Sequence, residues 1–82
     1  MITLDVYVST GCANCAYARE LAVQVARAFP AVEVNVLELG EIESPPETVF
    51  ATPTYLLDRK RISLGNPDHQ ELYSLLDVAL NS

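Results

Sequence analysis

The sequence predicts an α/β protein with elements in the order β-α-β-α-β-β-α, and three observations carry this reading. Apolar and polar residues alternate over residues 2–9 and again over 32–37. Apolar positions recur at helical spacing from Cys12 to Phe29. Two short runs, 54–57 and 61–64, flank the turn residues Asp58-Arg59-Lys60 ahead of a leucine-rich closing segment. Alternation marks half-buried strands, and recurrence every 3.6 residues marks an amphipathic helix.

In the first strand Ile2, Leu4, Val6 and Val8 share one face. The first helix has an inward stripe of Cys15, Ala18, Leu21, Ala22, Val25, Ala26 and Phe29, and a wetter face of Ala13, Tyr17, Glu20, Gln24 and Arg27. Pro30 ends it, because proline has no N–H to continue the ladder. The second strand sets Val32, Val34 and Val36 against Glu33, Asn35 and Leu37. Strand, helix and strand in this order make a right-handed crossover, so the two strands are parallel neighbours.

Residues 40–44 read as loop. Ser44-Pro45-Pro46-Glu47 has the form of a capping box with proline at the first helical position, predicting a short helix through Phe50. A hairpin follows. Gly65 then breaks the pattern, and Asn66-Pro67 offers cap and first turn to a last helix that turns Leu72, Leu75, Leu76 and Ala79 inward. If the valine face meets the long helices, Thr3, Asp5, Tyr7, Glu33 and Asn35 point the other way, under the short helix alone. That face is expected to be thinly covered, since strands buried on both sides read as unbroken apolar runs.

With 82 residues, half of them hydrophobic, the chain is long enough for one domain, 1–82, with a modest core. Its net charge is −6, with Glu33, Glu38, Glu41, Glu43 and Glu47 crowded in the middle and Arg59-Lys60-Arg61 as the basic cluster. This balance disfavours nucleic acid and anionic membrane as partners. The basic triplet reads as a solvated turn, with a docking patch for an acidic partner as the sharper alternative. No stretch is long and apolar enough for a membrane span, and Met-Ile-Thr-Leu-Asp lacks the features of a secretory signal, which predicts a cytoplasmic protein. In a reducing cytoplasm, two thiols are catalytic or metal-binding more often than structural.

The chain's two cysteines stand as Gly11-Cys12-Ala13-Asn14-Cys15, where the first strand gives way to the first helix. The positive end of a helix favours a thiolate, and a second cysteine one turn on lies within its reach. Cys12 is therefore the candidate nucleophile and Cys15 the resolving thiol. As a structural staple the pair is poor: the loop-entropy relation gives roughly 1.9 kcal/mol for so short a ring. No Lys or Arg lies between Met1 and Ala18, so thiolate stabilisation rests on the helix terminus and hydrogen bonds.

The element order, the Cys-x-x-Cys at the first junction and Ala51-Thr52-Pro53-Thr54 opening the hairpin together resemble the thioredoxin-like superfamily, in a short glutaredoxin-like form with a CANC active site. The resemblance spans the whole chain. It implies the thioredoxin fold, a mixed four-stranded sheet with helices on both faces, and a dithiol–disulfide oxidoreductase that needs no cofactor. It also implies that Pro53 is cis and packs beside Cys12 and Cys15, and that Thr52 pairs main chain to main chain with an extended substrate. The implied partners are a disulfide-containing protein and a reductase or thiol donor.

Some positions depart from the family pattern. Gly11 stands where thioredoxins have an aromatic, Ala13-Asn14 replaces their Gly-Pro, and Asp5 is one place out of register with their buried acid. Glutaredoxins hold glutathione with basic residues near the thiol. Here those are missing and only Gly65 and Asp68 match the Gly-x-x-Asp segment, which disfavours glutathione as a partner.

Cys-Ala-Asn-Cys after a strand is also similar to the heavy-metal-associated domain of copper chaperones, where two thiolates suit copper(I). That fold ends on a strand and carries Gly-Met-Thr before the first cysteine, against Ser9-Thr10-Gly11 here. Zinc would need four ligands, and two cysteines with His69 are too few; His69 reads as a solvated residue in the first turn of the last helix. The third alternative is a redox-sensitive adaptor whose disulfide alters partner affinity without turnover.

Overall fold

The computed structural model describes residues 2–81. Strand β1 (Ile2–Val8) leads through a turn into helix α1 (Cys15–Ala28), and β2 (Val32–Glu38) returns beside β1. A 3-10 turn at Leu39–Glu41 and an irregular segment precede β3 (Thr54–Leu57) and β4 (Lys60–Leu64), and α2 (His69–Leu80) closes the chain. The strands lie in the order β2-β1-β3-β4. β1 and β2 are parallel, with Ile2 opposite Val32 and Val8 opposite Glu38. β3 runs antiparallel to both β1 and β4. The sheet is thus mixed, as the crossover and the hairpin require.

Both helices share one core. Leu4, Val6 and Val8 of β1 meet Cys15, Ala18, Leu21 and Val25 of α1, Tyr55 of β3, and Leu72 and Leu76 of α2. Phe29 joins from the end of α1, its ring edge-on to Tyr73 with centroids 5.0 Å apart. The expected inward stripes need local correction. Ala26 and Leu75 are exposed, while Tyr73 and Leu80 pack against the core. On α2 the stripe runs Leu72, Leu76, Leu80 at four-residue spacing, and Leu75 stands about 100° around the helix from Leu76.

The helix expected at 45–50 does not form, so α-helices lie on one face of the sheet and not on both. Pro45 and Pro46 supply no amide donors, and Pro46 biases Pro45 away from helical geometry. The five residues left cannot recover the nucleation cost of a helix. Instead the Val49 N–H closes one turn onto the Pro46 carbonyl at 2.9 Å. Val49 is buried with Tyr7 and Leu56, flanked by Leu37, Leu39 and Ile42. The second face is therefore divided: Tyr7 is covered by this segment, whereas Thr3, Asp5 and Asn35 are only partly covered and Glu33 is exposed. There the Asn35 side-chain amide donates to Asp5 (3.0 Å) and Glu33 (3.1 Å).

The hairpin turn is shorter than expected. Asp58 and Arg59 alone make it, both in the left-handed region (φ 49° and 73°), and Lys60 already belongs to β4. Two positive φ values in a two-residue loop give the twist that antiparallel strands need. Asp58 also binds back to β1, its N–H to the Thr3 carbonyl at 2.8 Å and its carboxylate to the Thr3 N–H at 2.9 Å. The cap of α2 is Asp68, which accepts from the Gln70 N–H at 3.0 Å, and not Asn66. The chain closes on a helix, whereas the copper-chaperone alternative requires a closing strand.

Candidate active site

The C-terminal end of β1, the turn before α1 and the entry to β3 meet at one edge of the sheet. Gly11 takes φ +80°, a conformation that L side chains rarely adopt, so an aromatic here would be strained. Cys12 follows in the turn and Cys15 is the first residue of α1. The two are joined as a disulfide, with Cα atoms 5.3 Å apart. Cys15 is fully buried in the main core, while Cys12 is partly exposed at its margin. The two sulfurs therefore differ in access.

Thr52 and Pro53 are brought to the same place. The Cys12 sulfur lies 3.8 Å from the Thr52 carbonyl oxygen, and the Thr52–Pro53 peptide is cis. Several hydrogen bonds hold this loop. The Ser9 and Thr52 hydroxyls are 2.6 Å apart, the buried Thr54 hydroxyl donates to the Ala51 carbonyl at 2.6 Å, and the Gly65 N–H donates to the Pro53 carbonyl at 2.7 Å. Pro53 itself is completely buried. Thr52 is thus anchored by its side chain and by the residues on either side.

Charges are sparse at the site. Arg19, the first cation of the chain, turns to Glu38 at 3.2 Å, and Glu38 also accepts from the Thr10 hydroxyl at 3.4 Å. Asp5 lies on the opposite face of the sheet, bonded to Asn35. His69 lies against Tyr73, centroids 4.2 Å apart and rings tilted by 60°. Arg61 of the basic triplet lies over the Phe50 ring and donates to the Thr48 carbonyl, so it braces the segment leading into Ala51.

Three residues of this region carried no sequence signal for it. Ser9 reads only as the end of a strand, Tyr55 as a core aromatic and Asn66 as a helix cap. In the fold, the Tyr55 hydroxyl donates to the Asn66 side-chain oxygen at 2.8 Å, and the Asn66 amide donates to the Asn14 carbonyl at 2.9 Å. Burial, and secondarily the neighbouring Tyr17, hold the Tyr55 hydroxyl well above its ordinary value near 10, so it remains a donor. Among the described residues, no group of three or more His, Cys, Asp or Glu is placed to hold a metal ion.

No protein-family model matches the sequence, and no curated protein matches it. Solved structures do match. The germline-specific thioredoxin Deadhead of Drosophila melanogaster superposes with a TM-score of 0.74 at 17% identity, over 93% of this chain and 78% of that one. The periplasmic thioredoxin SoxS of Paracoccus pantotrophus gives 0.68 at 24% identity, over 94% and 93%. Glutaredoxin 1 of Francisella tularensis gives 0.50 at 18% identity across the full length of both chains. With the strand order, the crossover and the position of the cysteine pair already in place, these likenesses show that the chain has the thioredoxin fold.

Proposed function

We propose that this protein is a thiol–disulfide oxidoreductase in which Cys12 attacks and Cys15 resolves. The observation that carries the reading is the asymmetry of the pair: Cys12 is partly exposed beside Thr52, and Cys15 is fully buried at the start of α1. The Cys12 thiolate attacks one sulfur of a partner disulfide, the partner's S–S bond breaks, and its other sulfur leaves as a thiolate that takes up a proton. Cys15 then loses its proton and attacks the Cys12 sulfur, closing the Cys12–Cys15 bond and releasing the partner's second thiol. The balance is two electrons and two protons passed from dithiol to partner.

In this reading the Thr52 main chain is the edge with which an extended substrate segment pairs, and the buried Pro53 holds that edge beside Cys12. The substrate is a disulfide-bearing protein, and the oxidised form is reset by a reductase or a small thiol. A reducing cytoplasm is the compartment we assign, on the cysteine usage alone. No described helix is long and apolar enough to cross a membrane.

The test is reduction of insulin disulfides in the presence of dithiothreitol. Wild-type protein is expected to accelerate the reaction, and Cys12→Ser to abolish the acceleration. Cys15→Ser is expected to accumulate a mixed disulfide with the substrate. A wild-type rate equal to the dithiothreitol background would overturn the reading.

A further inference from the structure

The polar bridge from Tyr55 through Asn66 to Asn14 has only one consistent hydrogen-bond assignment. A main-chain carbonyl can only accept, so Asn66 must present its amide nitrogen to the Asn14 oxygen. Its own oxygen then faces Tyr55, whose hydroxyl must donate. Both bonds are in the range of good geometry. Tyr55 is fully buried in the main core, so its donor has a rigid base. Asn66 in turn follows Gly65, whose φ of +91° and bond to the Pro53 carbonyl hold the connector in place. A connector between β4 and α2 is thereby tied to Asn14, the second of the two residues between the cysteines.

The atom that Asn66 grips matters. Asn14 is the N-cap of α1, yet its side chain caps nothing. Its carbonyl also accepts from the Ala18 N–H at 3.2 Å, the first bond of the helix. The peptide joining Asn14 to Cys15 is planar, so pinning its oxygen also sets the direction of the Cys15 N–H, which points back to the Cys12 carbonyl at 3.2 Å. Orientation of this peptide decides whether the first-turn N–H groups and the positive helix end face Cys12.

We infer that Asn66, braced by Tyr55, is a positioning residue for the dithiol: it orients the Asn14–Cys15 peptide so that the head of α1 faces the Cys12 sulfur. The inference deepens the oxidoreductase reading and rests on it. With Arg19 paired to Glu38, this orientation is what stabilises the thiolate, and thiolate stabilisation favours the reduced state. Removing the bridge therefore makes Cys12 less acidic and the pair more reducing.

The experiment uses the intact reduced protein, with two readouts: the pH dependence of Cys12 alkylation by iodoacetamide, and the equilibrium with a glutathione redox buffer. Asn66→Ala is expected to move the alkylation midpoint upward and to shift the glutathione equilibrium toward oxidised protein by about fivefold, the scale of one net hydrogen bond; this is about 20 mV for a two-electron couple. Asn66→Asp keeps the shape but cannot donate to Asn14 and adds a negative charge, so it shifts both readouts further in the same direction. It also carries the test if the alanine variant does not fold. Tyr55→Phe removes the brace but leaves the Asn66 donor in place, and is expected to move both readouts in the same direction as Asn66→Ala and by no more than it does. Folded Asn66 variants within twofold of wild type on both readouts would overturn the inference. Neither readout requires turnover, so a failure with insulin as substrate is distinguishable from a failure here.

Discussion

Cys12 and Cys15 are chemically the same side chain in different surroundings, and in the proposed mechanism those surroundings set their roles. Cys12 stands just before the helix head and beside the Thr52 carbonyl, while Arg19, the first cation in the sequence, is paired with Glu38. The reactivity of Cys12 in the reduced protein therefore rests on the helix head, and alkylation rate against pH measures it. At the same scale, the Tyr55 hydroxyl is buried and satisfied by a single side-chain partner. Tyr55→Phe leaves the Asn66 oxygen without that donor and is expected to lower stability by about 1–2 kcal/mol, read from urea unfolding.

Elements differ in how firmly local sequence dictates them. α1 follows from its stripe, and proline ends it. The β3–β4 turn works against one of its residues, because Arg59 holds φ 73° with a Cβ attached. Arg59→Gly removes this cost of about 1–2 kcal/mol and returns part of it as unfolded-chain entropy. A net gain of about 0.5 kcal/mol is expected, seen as a raised urea midpoint with unchanged slope. The segment after the 3-10 turn is held by burial and one hydrogen-bonded turn, not by helix. Val49→Ala should therefore cost about 1–3 kcal/mol, an effect typical of a core site, although the residue lies outside any helix or strand.

At the scale of the whole molecule, the sheet has a well-packed face under both helices and a second face covered only near Tyr7. Two tyrosines couple this packing to pH. Burial raises the hydroxyls of both Tyr55 and Tyr7 above 10, with a lesser contribution from Tyr17 to the first and from Asp5 to the second. Below pH 10 each is protonated in folded and unfolded chains alike, and stability does not change through them. Above it the unfolded chain releases protons that the folded chain retains, so stability falls as pH rises, by up to about 1.4 kcal/mol per pH unit for each tyrosine. Urea midpoints between pH 9 and about 11.5 are expected to decline, and to decline less steeply in Tyr55→Phe. A flat profile would show that neither hydroxyl is held by the fold.

Alternating valines, a helical stripe ended by Pro30 and paired runs about Asp58 were enough to determine the strands, the long helices, the crossover and the cysteine junction, because each is set by periodicity within a few neighbouring residues. The Thr52-Pro53-Thr54 step was legible only as part of a larger pattern. What tertiary structure alone decided lies where contacts join distant positions. The 42–50 segment gave up a helix to bury Val49 against Tyr7, Leu75 turned outward while Leu80 turned in, and Asn66 left the cap of α2 to Asp68 and reached Asn14, 52 residues away. Capping signals describe what a backbone can do locally. A polar side chain beside a buried hydroxyl binds it instead, because leaving that hydroxyl unpaired in the folded chain is the costlier outcome.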